Sequence, residues 1–479
     1  MSAAARIVIG VDSSTQSTKA LAVEVDTGNV IGHGRASHTV TGGAGRESDP
    51  AQWWDALAAA LEQTGHADRA EAVSIGGQQH GLVTLDAKDE PVRPAMLWND
   101  VRSAAQATAL IERFGAQWWA DRIGSVPPAS FTVTKWAWLR ENEPESVART
   151  AAVRLPHDYL TGRLTGLGTT DRGDASGTGW WTPQGYDEQV LDAVGLSPAF
   201  LPEVVEPGKA AGTVRGGLPL REGALVGAGT GDNMAAALGL GLEPGVPVIS
   251  LGTSGTVYAV TRGRPADPTG TVAGFADALG GWLPLAATLN CTLAVDRFVA
   301  LLGLDRNAVE PGGTALVLPY LDGERTPNLP SASGLVAGLR HDTTPGQLLQ
   351  AAYDGAAYSL LAALDDVLRR GGEDPASDAP ILLIGGGARG AAWQNTVRRL
   401  SGRPVRVPVA EEVVALGAAA QAAGLLTGES ADAVARRWNT AAGPVLEPLP
   451  RDEHTLARIA DTLQRAEAGG LFADGFAER

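Results

Sequence analysis

The sequence predicts an α/β protein organised as two similar halves. Three observations carry this. A short apolar strand, a turn of hydroxyl residues and a second strand stand near the start of the chain, Ile7 to Val25, and the same order recurs from Val248 to Val260. Between and after these hairpins, strand runs alternate with helical patterns, as at Leu225 to Asp232 and at Ile381 to Ile384. The length, 479 residues, exceeds what a single hydrophobic core serves, so two or three domains are expected.

Composition narrows the class. The chain is 44% hydrophobic and 19% charged, as ordinary soluble domains are. A formal net charge of −16 argues against a general nucleic-acid or anionic-membrane binder, though backbone N–H groups can still hold a nucleotide phosphate. The single cysteine, Cys291, excludes an intramolecular disulfide and a multi-cysteine metal cluster. No basic segment precedes a long apolar one, and no apolar run reaches 18 residues, so a cytoplasmic location is the expectation. Positive charge is carried almost wholly by arginine. The four lysines, Lys19, Lys88, Lys135 and Lys209, are correspondingly informative.

Taken in order, Ile7 to Val11 reads as a strand ending at Asp12. A turn, Ser13 to Ser17, and a strand from about Thr18 to Val25 complete the first hairpin. Hydroxyls, backbone N–H groups and Lys19 suit a polyphosphate, and Asp12 suits its Mg²⁺; for one such hairpin taken alone, a plain surface turn is the favoured reading. Val30 to His38 reads as a third strand. Asp49 and Pro50 supply the N-cap and first residue of a helix whose Trp54, Leu57 and Leu61 share a face. Ala72 to Ile75 is a strand running into Gly76-Gly77-Gln78-Gln79-His80-Gly81. Two amides and an imidazole between glycines there form a ligand site or a structural bend. Arg93 to Arg102 repeats the mixture with Asn99, Asp100 and Arg102. Residues 103–200 read as helices and loops whose tryptophans are core, with an exposed one able to stack on a sugar ring. The stretch Gly227 to Gly241 delivers Asp232 from a glycine-rich turn into an alanine-rich helix. Locally, Asp232 is either a helix cap or a catalytic acid at a strand's C-terminal end.

In the second half, Val248 to Leu251, Gly252-Thr253-Ser254-Gly255 and Thr256 to Val260 form the recurring hairpin. A polar loop (Leu318 to Pro327), an amphipathic helix (about Pro345 to Arg369) and a strand (Ile381 to Ile384) follow. The strand leads into Gly385-Gly386-Gly387-Ala388-Arg389-Gly390. This loop satisfies G-x-G-x-x-G, with Glu411 and Glu412 some twenty residues on, so a dinucleotide site is an alternative here. Val414 to Leu426 reads as a buried helix, and residues from about 466 as a polar tail.

No G-x-x-x-x-G-K-[ST] phosphate loop occurs. The two hairpins and the late glycine loop resemble instead the fold shared by actin, sugar kinases and heat-shock chaperone ATPases, two ribonuclease H-like domains with an interdomain cleft. Ser130 to Asn142 (SFTVTKWAWLREN) and Gly334 to Asp354 (GLVAGLRHDTTPGQLLQAAYD) are similar to the two long signatures of the FGGY carbohydrate kinases, and the resemblance runs in order from Ile7 to about Gly424. Within that family the xylulokinase branch is most similar, through Gln78 to Gly81, Leu97 to Asp100, Leu155 to Leu160, Ser250 to Gly255 and Leu318 to Pro327. The chain departs from the pattern at Ser13-Ser14, where a glycine is common, at Gln79, where a methionine is usual, and at Gly390, where a serine is frequent.

The resemblance implies a 1–243 domain carrying the sugar site and the base, a 244–465 domain carrying the ATP site, and a 466–479 tail. It implies transfer of the ATP γ-phosphoryl group to a ketopentose hydroxyl, for xylulose the one on C5. Asp232 is then the base, Asp12 and Asp232 are the Mg²⁺ ligands, and Gln79, His80, Trp98, Asp100 and Asp232 contact the sugar. Asp12, Thr15, Lys19, Gly252 and Thr253 serve the phosphates, and Gly386, Gly387 and Ala388 the adenosine. The implied partners are a small sugar and ATP, with no nucleic acid and no membrane; a homodimer is left open. A kinase for ribulose, arabitol or glycerol, a non-transferring ATPase of the same fold, and an NAD-linked enzyme on the Gly385 loop are the competing readings.

Overall fold

The computed structural model describes residues 5–42 and 45–472. Two sheets organise them. In the first, the strands run Ala210–Thr213, Leu225–Gly227, Ala72–Gly77, Ile7–Ser13, Ser17–Glu24, Val30–Ser37 across the sheet. In the second they run Ala273–Ala276, Trp282–Thr288, Gly255–Ala259, Pro247–Leu251, Ile381–Ile384, Val405–Arg406, Val445–Leu446. Both are built alike. The founding strand (Ile7–Ser13 or Pro247–Leu251) pairs antiparallel with its hairpin partner on one side and parallel with a later strand on the other. The duplication expected from two similar hairpins is therefore a duplication of sheet order.

The first strand is buried along its whole length because both sheet faces are covered. Ile7, Ile9 and Val11 pack toward the Pro50–Thr64 helix with Trp53, Leu57 and Leu61, while Val8 joins a core with Ala415 and Ala419. The buried tryptophan of that helix is thus Trp53; Trp54, expected on the inner face, is half-buried and holds the Arg163 guanidinium over its ring at 4.7 Å. Asp49 caps the helix by accepting from the Ala51 N–H at 2.9 Å, as the Asp-Pro pair predicts.

The second covering helix, Val413–Thr427, comes from the far end of the chain and lies on the Ile7–Ser13 and Ala72–Gly77 strands and on the Asp232–Gly239 helix. Small residues allow this closeness. A Cβ on Gly10 would stand 1.9 Å from the Ala415 carbonyl oxygen, and one on Gly417 would stand 1.8 Å from that of Ala235. The alanine-rich composition, apolar on every side, fits a helix surrounded by protein.

Three expectations change. The Glu453–Ala468 helix runs past residue 466, and Phe472 is buried with its ring centroid 6.0 Å from that of Tyr320, so the expected polar tail is packed structure as far as Phe472; 473–479 lie outside the described residues. The Gly385 loop follows a strand that is central in a mixed sheet with antiparallel hairpins, not the first strand of a parallel dinucleotide-binding sheet. Asp232 is not the helix cap: Gly231 occupies the N-cap position, and Asp232 is the first helical residue.

Candidate active site

A cleft of about 570 Å³ opens between the two sheets, and both halves line it. Asp12 and Lys19 come from the first hairpin, Asp232 and Asn233 from the start of their helix, and Gly385, Gly386, Ala388 and Arg389 from the loop after Ile384. Glu411 and Glu412 come from the approach to the Val413–Thr427 helix. The positioning follows from strand register. Asp12 pairs with Gly76, and the Thr230-Gly231 segment runs beside Gly76 and Gly77, so three strand ends deliver Asp12, Gln79 and Asp232 to one edge.

Asp232 has its Oδ1 engaged by the Asn233 N–H at 2.8 Å and the Asn233 amide at 2.9 Å. Burial, reinforced by the nearby Asp12 and Asp174 charges, pushes its carboxyl up to about 7. Asp12 is also raised, by burial that the Lys19 ammonium only partly offsets; the Ser14 hydroxyl donates to its Oδ1 at 2.9 Å, and Lys19 Nζ lies 3.5 Å from its Oδ2. Lys19 donates more closely to Glu412, at 2.6 Å. Two buried carboxylates, Asp12 and Asp232, thus share one cleft. That suits a largely hydrated Mg²⁺, which needs one or two carboxylates. Among the described residues no group of three or more His, Cys, Asp or Glu side chains could cage a metal by itself.

The late glycine loop is tied to the second hairpin. Gly385 adopts φ +85°, and any side chain there would meet the Leu251 backbone at 2.9 Å. The Gly387 N–H donates to the Leu251 carbonyl at 2.9 Å, so Gly387 faces that strand while Gly386 and Ala388 face the cleft. The Gly252 and Thr253 carbonyls accept from Thr292 and Leu293 at the start of the Thr292–Leu302 helix, which ties the hairpin tip to that helix; from this hairpin, Ser250 and Tyr258 line the cleft.

On the other side of Asp232, the Gln79 Oε1 accepts from the Asn233 amide at 2.8 Å, and its buried Nε2 has no partner. His80 stands in the left-handed region at φ 63°, with Nδ1 2.8 Å from the Gly177 carbonyl. A carbonyl only accepts, so Nδ1 carries the hydrogen and Nε2 is the free acceptor. Burial, with Lys135 nearby, lowers the imidazole to about 3, so it stays neutral. Trp98 is 39% exposed and donates from Nε1 to the Thr15 hydroxyl at 3.1 Å, linking an expected sugar contact to an expected phosphate contact.

Asp100 departs from expectation. It is wholly buried, and its oxygens accept from the Arg46 and Arg102 N–H groups and from the Arg102 guanidinium, which also reaches Glu47. With no free oxygen on an open surface, Asp100 braces its loop and does not touch a ligand in this conformation.

Sequence reasoning missed several residues. Asn233 ties Asp232 to Gln79, and its signal was only adjacency to Asp232. Arg325, in the polar loop from Leu318, is near enough to His80 to depress its basicity. Beneath the site lies a buried cluster in which His157 Nε2 stands 3.2 Å from Asp174, 3.4 Å from Asp158 and 3.6 Å from Asp171. Burial alone would lower that imidazole; Asp158, Asp174 and Asp171 outweigh it and push it up to about 9. Asp171 in turn accepts from the Thr230 hydroxyl at 2.7 Å, two residues before Asp232.

Residues 7–239 match the N-terminal domain of the FGGY family of carbohydrate kinases, and residues 248–425 match its C-terminal domain. The chain is 72% identical over 466 residues to a xylulose kinase of Streptomyces rubiginosus, covering 96% of each. It superposes on a crystal structure of xylulose kinase from Bifidobacterium adolescentis with a TM-score of 0.84 at 37% identity, over 96% of this chain and 99% of that one. A gluconate kinase from Lactobacillus acidophilus shares the fold at 19% identity, with a TM-score of 0.87 over 98% of this chain and 99% of that one.

Proposed function

Because the chain belongs to the FGGY family of carbohydrate kinases, we propose that it transfers the γ-phosphoryl group of ATP to the C5 hydroxyl of D-xylulose. The observation that carries the reading is Asp232. Its Oδ1 is committed to Asn233 and its carboxyl is raised to about 7, on the wall of a cleft that both halves line. The free Oδ2 takes the sugar hydroxyl proton as the new O–P bond forms and the γ-phosphorus bond to the departing ADP oxygen breaks, with a basicity matched to neutral pH. His80 Nε2 accepts from a sugar hydroxyl and Gln79 Nε2 donates to a sugar oxygen, each held by its second hydrogen bond.

Lys19 exchanges Glu412 for the phosphates. Thr15 and the Gly252-Thr253 turn hold the same groups, and Gly386 and Ala388, on the cleft wall, form the adenosine side, with Gly387 bracing their loop against Leu251. Asp12, with Asp232, would hold Mg²⁺, which when bound neutralises phosphate charge. The same reading places the enzyme in the cytoplasm with its two small substrates. Strong identity to xylulose kinases supports D-xylulose over other acceptors.

Coupled ADP release across ketoses and polyols tests the assignment, with Asp232→Ala as control. D-xylulose should give the highest kcat/KM, and a tenfold preference for ribulose, arabitol or glycerol would refute it.

A further inference from the structure

The sugar-side imidazole is held by both halves of the molecule. His80 and Phe131, from the first half, stack with centroids 4.8 Å apart and planes at 23°. Phe275, from the Ala273–Ala276 edge strand of the second sheet, completes a triangle, 5.5 Å from His80 and 5.9 Å from Phe131. Both phenylalanines are buried, at 1% and 2% exposure.

The strand bearing Phe275 is clamped to the first half on either side of it. The Gly274 N–H donates to the Ser125 hydroxyl at 2.9 Å and faces the Gly124 carbonyl at 3.1 Å. The Ala276 N–H donates to the Ser176 hydroxyl at 2.9 Å, and Arg172 donates to Asp277 at 2.9 Å. Ser176 immediately precedes Gly177, whose carbonyl orients His80, and a side chain on Gly177 would strike the imidazole at 2.6 Å. The conformation of His80, with positive φ, is one a non-glycine residue holds only when its surroundings impose it.

We propose that Phe275 is a positioning residue for the sugar: packed against the His80 ring from the opposite half, it fixes the direction of Nε2, so the sugar site is complete only while this edge strand is docked on the first half. Two independent features converge here, the aromatic triangle and the hydrogen-bonded clamp. The inference rests on the reading that His80 contacts the sugar.

A double-mutant cycle in the full-length enzyme tests it. Phe275→Ala should raise the apparent KM for D-xylulose by about tenfold while the ATP KM stays within about twofold, and Phe275→Leu, which keeps apolar bulk and guards against misfolding, should raise it by about threefold. In the His80→Ala background, Phe275→Ala should add less than about twofold, because the group it orients is gone. An unchanged sugar KM in both Phe275 variants overturns the proposal, as does a full effect of Phe275→Ala that persists without His80. Separately, an unchanged sugar KM in His80→Ala alone removes the sugar contact itself, a different failure from that of Phe275.

Discussion

Asp232 and His157 are both buried titratable side chains, and they do opposite work. Asp232 keeps one oxygen free on the cleft wall, so Asp232→Asn should lower kcat by about 10²- to 10⁴-fold while ATP still raises the melting temperature. Near-normal turnover in that variant would remove it as the base. His157 is enclosed by three aspartates and reaches no cleft. Its folded value of about 9 lies above the ordinary 6.5. The stability it contributes is therefore fully present below pH 6.5 and lost as pH rises through 9. Melting temperature should fall across that window, and His157→Gln should melt lower with a flatter profile; an equally steep fall in the variant would place the titration elsewhere. The two were not equally legible. Asp232 stands in a local pattern, strand, glycine turn, helix, that announces an acid at a strand end. His157, Asp171 and Asp174 are joined only by the fold, and no short spacing marks them. Asp100 shows the reverse error: a polar residue in a recognisable motif that the structure uses to brace Arg102.

The hairpins were legible as elements because everything that makes them is local: β-branched runs, hydroxyl turns, and register set by the turn. Their strands lie within a residue or two of where the sequence puts them. The Val413–Thr427 helix was legible as a buried helix but not as to its partner, since a helix apolar all round carries no directional stripe. Its neighbour is dictated by two glycines. A Cβ on Gly239 would stand 1.9 Å from the Val413 carbonyl oxygen, matching the Gly417 contact with Ala235 on the opposite helix. Gly417→Ala must push backbone from backbone, which no side-chain rotamer relieves. It should cost about 1–3 kcal/mol in urea unfolding, despite alanine's better helix propensity. A neutral or stabilising effect would mean the helices are further apart than the Gly417–Ala235 contact requires.

Across the whole molecule, the two halves are interlocked. The first sheet borrows the Val413–Thr427 helix, and the second sheet docks its edge strand on the first half beside His80. A boundary near residue 243, natural in the sequence, therefore divides the repeated sheets but not the packing. A fragment comprising residues 1–243 should lack a cooperative thermal transition and bind hydrophobic dye, whereas adding residues 413–427 as a separate peptide should restore part of the transition. A fragment that melts cooperatively alone would contradict this. The borrowed helix also sets a timetable. Roughly 400 residues separate the first strand from the helix that covers it, so at about 5–20 residues per second a ribosome makes the strand roughly 20–80 s before its cover exists. For that interval the nascent chain carries a sheet face with nothing of its own to shield it, and synthesis rather than sequence decides when the first half can finish folding.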